Sequence, residues 1–226
     1  MDVDQIFLQD NDSLVVEDSE RLSLFLDFIF SERTPWSPPG RNEGRTAAHR
    51  ERYCFGYFLA QEHKNFSFPI EIRKTERPDF IITDQEGCSI GIEHTDAGPE
   101  AYQRWLSQTE GQDATLMAPD REGQNTGGGF CGNQSYKEAA ADLCTALYRK
   151  TASINKDGYH QADEYVLIIY LLSNAPLIFE GDFDQVIGFL PPLSEAHEEG
   201  QAHYNGSRRF KRVLIILENE VRFWPA

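Results

Sequence analysis

The sequence predicts an α/β fold, a mixed central sheet flanked by helices, and three observations carry that prediction. Residues 79–83 and 88–94 read as two short strands joined by the polar turn Asp84-Gln85-Glu86-Gly87. Residues 165–172 form an unbroken apolar run and 213–217 form another, as expected of strands buried on both faces. Segments with apolar residues at helical spacing precede and separate these strands.

Each element follows in chain order. Residues 1–18 are acidic with little periodicity, which predicts an N-terminal arm. Leu22, Phe25, Leu26, Ile29 and Phe30 then recur at helical spacing, with Ser19 placed to cap the helix. Proline and glycine at 35–40 make a loop, and a second helix is expected from about residue 45 to 64. Tyr53, Gly56, Tyr57 and Ala60 share one face of it, and Glu51, Phe55 and Glu62 another. Strands are expected at 67–73, 79–83 and 88–94. Residues 98–135 read as an insertion, with a short helix at 101–107 and glycine-rich chain at 127–132. Ser135-Tyr136-Lys137-Glu138 is a capping box, and Tyr136, Ala140, Leu143 and Leu147 form the stripe of the helix it opens. After the apolar runs, Glu218-Asn219-Glu220 turns the chain into a closing strand at 221–224. Residues 19–226 are thus expected to form a single α/β domain carrying the insertion.

Composition bounds the class. Of 226 residues 40% are hydrophobic and 12% aromatic, enough for a packed core. No run of about 18 apolar residues predicts a membrane span. The acidic start Met1-Asp2-Val3-Asp4 lacks a secretion signal, and Cys54, Cys88, Cys131 and Cys144 have no metal-binding spacing. A cytoplasmic protein with reduced thiols is expected. The net charge of −16, from 21 Lys+Arg against 37 Asp+Glu, repels nucleic acid at long range.

The candidate chemistry lies in the hairpin. In an antiparallel pair, opposed residues have position numbers that add to a constant. Asp79 and Glu93 add to 172, which centres the hairpin on Glu86 within the turn. Their Cβ atoms are then expected about 5 Å apart. By alternation Ser89, Gly91, Glu93 and Thr95 share one face, and Ile90, Ile92 and His94 the other. Two acids that close repel unless a proton or cation lies between them. A hard ion such as Mg²⁺ takes one or two carboxylates plus water.

Pro78-Asp79, the hairpin and Glu93-His94-Thr95 resemble the signature of the restriction-endonuclease-like nuclease superfamily: Pro-Asp, a hairpin, then Asp/Glu-x-Lys. The likeness extends over about residues 45 to 172 in element order, and Thr95 stands where the family has its lysine. The resemblance implies a restriction-endonuclease-like core and a Mg²⁺- or Mn²⁺-dependent nuclease acting on DNA or RNA, in defence or mobile-element biology. It implies metal ligation by Asp79 and Glu93, with Glu51 on the preceding helix as a third ligand and Glu71 as its substitute. It also implies that Lys137, or the polar Gln134, takes the place of the missing lysine.

Outside the hairpin, Arg208-Arg209-Phe210-Lys211-Arg212 is the densest basic cluster and is the expected nucleic-acid contact. Gly127-x-Gly129-x-x-Gly132 follows no strand of a βαβ unit, so it reads as a loop that acts as a lid or meets a partner. His197 and His203 are too loosely spaced for a metal site and read as solvated loop. Two readings of function remain. One is a metal-dependent nuclease. The other is a nuclease-like fold without catalysis, serving as a binding subunit, inhibitor or acidic nucleic-acid mimic. The long polar insertion leaves a protein partner or a homo-oligomer open.

Overall fold

A computed structural model describes residues 13–30, 47–109, 133–172, 181–201 and 206–226. Its strands form one seven-stranded mixed sheet with spatial order β1-β2-β3-β4-β5-β6-β7. Helices α1 (Ser19–Phe30) and α2 (Ala47–Glu62) follow β1 (Ser13–Val16), and β2 (Ile70–Lys74), β3 (Phe80–Thr83) and β4 (Ser89–Ala97) form an antiparallel meander. After α3 (Glu100–Thr109), the long α4 (Asn133–Ile154) crosses over to β5 (Glu164–Leu171), which lies parallel to β4. Then come α5 (Asp182–Gly188), α6 (Leu193–Gly200), β6 (Arg212–Leu217), parallel to β5, and the antiparallel β7 (Glu220–Phe223).

The sheet separates two cores because its strands alternate. Val166 and Ile168 of β5 join Leu22, Phe25, Phe55, Phe58 and Leu59 of α1 and α2. Leu167, Ile169 and Leu171 join Leu143 and Leu147 of α4, Phe183 of α5 and Ala196 of α6. Both apolar runs are therefore buried on both faces, as their composition predicts.

Several local expectations change. Residues 13–16, assigned to the acidic arm, form β1 on β2; residues 1–12 lie outside the described residues. Asp18 caps α1 rather than Ser19, its carboxylate accepting the Arg21 N–H at 2.8 Å. Phe30 is exposed, and α2 turns Cys54, Phe55, Phe58 and Leu59 inward while Tyr53 and Tyr57 stay half-buried. Helix α4 begins two residues before the capping box, and its predicted stripe of Tyr136, Ala140, Leu143 and Leu147 is buried. His197 belongs to α6 and is buried, its Nε2 2.9 Å from the Phe210 carbonyl oxygen, so the solvated loop expected there is a helix. His203, Cys131 and the glycines at 127, 129 and 132 lie outside the described residues.

Candidate functional site

The hairpin register is the predicted one. Phe80 opposes Ile92 and Thr83 opposes Ser89, so both pairs add to 172. Asp79 precedes β3 in the tight β2–β3 turn, where the Thr75 N–H reaches the Asp79 carbonyl at 3.0 Å and the Thr75 hydroxyl donates to the Pro78 carbonyl. Its carboxylate Oδ2 accepts the His94 N–H at 2.7 Å, which ties it to the residue after Glu93. Glu93 is 1% exposed and points to the α4 side of the sheet, where the Lys150 Nζ lies 2.6 Å from its Oε2. Tyr159, from the loop that follows α4, hydrogen-bonds the same carboxylate, and the His160 N–H fastens that loop to the Arg77 carbonyl at 3.0 Å.

Burial and crowding set the charge states here. Asp79 is pushed up to about 7, first by burial and then by the charges of Glu93 and Glu51; Lys150 and the His94 N–H act the other way. Burial and then the Glu93 carboxylate hold the Tyr159 hydroxyl protonated well above its usual range. His94 points to the opposite face, as alternation predicts. Its imidazole is pushed down to about 3 by burial, then by Lys150, Arg50 and Lys74, so it is neutral at physiological pH.

The other expected residues fall as follows. Glu51 acts on Asp79 through its charge, but its Oε2 is 2.9 Å from the buried Lys74 Nζ. Glu71 is exposed and opposes Thr83, four residues from Asp79 along β3. Lys137 is exposed with its Nζ 5.5 Å from the Phe189 ring centre, and Gln134 donates to Glu138 at 2.8 Å. Thirteen residues of helix, about 20 Å, separate Lys137 from Lys150, so the cation at Glu93 is Lys150. Arg149 donates to the Thr95 hydroxyl at 2.8 Å, covering the position of the absent lysine. In the basic cluster, Arg212 lies between Glu62 at 2.6 Å and Glu164 at 2.7 Å, and Arg208 donates to the Ile154 carbonyl at 3.0 Å. Those two cations close the fold at the starts of β5 and β6. Lys74 is a site residue that sequence reasoning missed; Lys150, like Arg149, is one of several basic residues whose convergence on Asp79 and Glu93 the sequence leaves open.

Among the described residues no group of three or more His, Cys, Asp and Glu gathers to hold a metal. The donor set of Asp79 and Glu93 nonetheless fits one hard divalent ion completed by water. Asp79 is raised first by burial and only then by the charges of Glu93 and Glu51, which Lys150 offsets in part. Chemically, the arrangement offers one buried and one half-buried carboxylate, an ammonium on the buried one and, at Asp79, a proton that exchanges near neutral pH in the ion-free site. Compared with family models, curated proteins and solved structures, the chain has no significant match.

Proposed function

We propose that the chain is a metal-dependent nuclease that hydrolyses phosphodiester bonds of DNA or RNA, on a restriction-endonuclease-like core. The observation that carries this reading is the Lys150–Glu93 contact beside Asp79, an acid in the turn before β3, an acid on β4 and a cation on the crossover helix. Asp79 and Glu93 would hold Mg²⁺ or Mn²⁺, with Glu51 adding charge from the α2 side. When bound, the ion lowers the pKa of a coordinated water and offsets charge on the attacked phosphate. Lys150 orients the Glu93 carboxylate and presents ammonium donors to a phosphate oxygen. Asp79, which titrates near neutral in the ion-free site, releases its proton as the ion binds. Cys54, Cys88 and Cys144 are free thiols, which supports a reducing compartment such as the cytoplasm. No helix among the described residues is long and apolar enough to cross a membrane.

The test incubates the purified protein with single- and double-stranded DNA and RNA plus Mn²⁺, beside Asp79→Ala and Lys150→Ala. Cleavage by the parent alone is the expected result. Intact substrates throughout, together with no calorimetric metal binding, would overturn the reading.

One observation favours the non-catalytic reading. The net charge is −16, and Arg212 of the basic cluster is held between two carboxylates. On that reading the acidic surface captures a basic partner, most rapidly at low salt. Capture that survives Asp79→Ala and Glu93→Ala unchanged, with no cleavage, would establish it.

A further inference from the structure

In a chain with 37 acids and 21 Lys+Arg, a cation near the candidate site that pairs with no carboxylate stands apart. Arg50 is bound to Asp96, Lys74 to Glu51, Lys150 to Glu93, Arg212 to Glu62 and Glu164, and Arg222 to Asp184. Arg77 and Arg149 differ. Both are exposed, and among the described residues neither pairs with a carboxylate.

Their placement is informative. Arg149 immediately precedes Lys150 on α4. Its Nη2 donates to two uncharged oxygens, the Thr95 hydroxyl at 2.8 Å and the Asp96 carbonyl at 3.3 Å. Those bonds anchor the guanidinium without neutralising it, and the rest of its five N–H donors remain. Thr95 lies two residues beyond Glu93 on β4, about 7 Å along the strand. Arg149 and Lys150 therefore present two cations in series over successive residues of one face of β4. Arg77 comes from a different element, the β2–β3 turn, two residues before Asp79. Its carbonyl is pinned by the His160 N–H, and its positive charge acts on Tyr159, the residue bonded to Glu93.

We infer that Arg77 and Arg149 are the backbone-phosphate contacts of this site, binding phosphates of one nucleic-acid strand next to the phosphate that meets Lys150. The inference rests on the nucleic-acid part of the function proposed above and sets aside Arg208 and Arg212, whose side chains are held by the Ile154 carbonyl and by Glu62 and Glu164. A guanidinium matches two phosphate oxygens at once, whereas carboxylates repel them. Arg149 and Lys150 are anchored over Thr95 and Glu93, about 7 Å apart along β4, and Arg77 stands on a separate turn, so the three cations spread over more than the oxygens of one phosphate. The ligand class is therefore an oligonucleotide rather than a mononucleotide. The contacts carry no base information, so binding is expected to be indifferent to sequence.

The test is fluorescence anisotropy with a labelled oligonucleotide, single-stranded in one arm and duplex in the other, in EDTA so that nothing is cleaved. A nucleoside monophosphate serves as competitor. Arg77→Gln and Arg149→Gln are each expected to weaken binding about tenfold, as for loss of a charged hydrogen bond. Each should also reduce the salt dependence, log K against log salt, by about 0.7 on a single strand or about 0.9 on duplex. Arg222→Gln, on β7 and paired with Asp184 and Glu220, should leave both measures unchanged, and the monophosphate should compete poorly. Thermal melting confirms that the variants fold; both side chains are exposed, so little change is expected. A parent protein that binds here but cleaves nothing in the Mn²⁺ incubation described above, with both arginine variants weakened, keeps this inference and removes the nuclease. Cleavage by the parent in that incubation, with both variants matching it here in affinity and salt slope, keeps the nuclease and overturns this inference. Absence of binding to either strand form overturns it as well.

Discussion

Asp79 and His94 are joined by one hydrogen bond and titrate in opposite senses. Asp79 rises from 3.8 to about 7, so within that window the folded chain keeps a proton that the unfolded chain releases, and stability falls as pH rises. His94 drops from 6.5 to about 3, so the unfolded chain holds the extra proton there and stability rises with pH. The two effects oppose each other across most of the acid range, and near neutral the loss from Asp79 remains. Asp79→Asn removes a charge that is costly only when ionised. It is expected to raise the melting temperature by about 3 °C or more at about pH 8, and to change it little at about pH 5. Added Mn²⁺ should narrow the gap by pairing the parent's ionised carboxylate. Equal effects at both pH values would count against the assignment. Lys150 gives a second prediction. Lys150→Met leaves Glu93 buried without its cation, an expected loss of about 3 kcal/mol in urea unfolding, and adding Glu93→Gln should recover most of it. The Asp79–Glu93 pairing was legible because opposed positions in a hairpin sum to a constant. Lys150 was not, because its contact depends on how α4 is rotated and where it lies over the sheet.

At the scale of elements, the crossover from β4 to β5 decides which end of α4 meets the site. A helix joining parallel strands runs back from the end of the first to the start of the second. The last turns of α4 therefore come down over Glu93, and the first turn, with Lys137, lies near the strand ends. That reasoning was open to the sequence, since the apolar runs already implied a buried sheet; the capping box drew attention to the wrong end. The elements that stayed hidden were short. β1 has four residues, and α5 and α6 have seven and eight, too few turns for periodicity to declare a face. Gly98 tests how firmly the crossover is held. It has φ +142°, and a Cβ there would lie 2.1 Å from the Leu172 carbonyl oxygen, next to the Leu172 N–H bond to Ala97 at 2.7 Å. Gly98→Ala is expected to cost about 3 kcal/mol, combining backbone strain with overpacking. A loss near zero in urea unfolding would show that the end of the β4–β5 ladder yields freely.

For the whole molecule, net charge and local charge make opposite demands on a polyanionic ligand. The −16 total repels it from a distance, while Arg77, Arg149 and Lys150 attract it on contact. Salt separates the two by range. At 0.01 M the net charge reaches about 30 Å, and at 0.15 M only about 8 Å, comparable to the roughly 7 Å along β4 between the footholds of Lys150 and Arg149 in the cationic rim they form with Arg77. The association rate constant of an oligonucleotide should therefore rise as salt is added between these limits, the reverse of a basic nuclease. Arg77→Gln and Arg149→Gln should change the dissociation rate more than this trend, because the trend belongs to the total charge. For a basic protein partner the sign inverts, with association fastest at the lowest salt. Stopped-flow mixing with an oligonucleotide and with a polycationic peptide reads both slopes on one protein. An oligonucleotide rate that falls steadily with salt would mean that a cationic surface larger than this rim governs encounter, and that the acidic total does not.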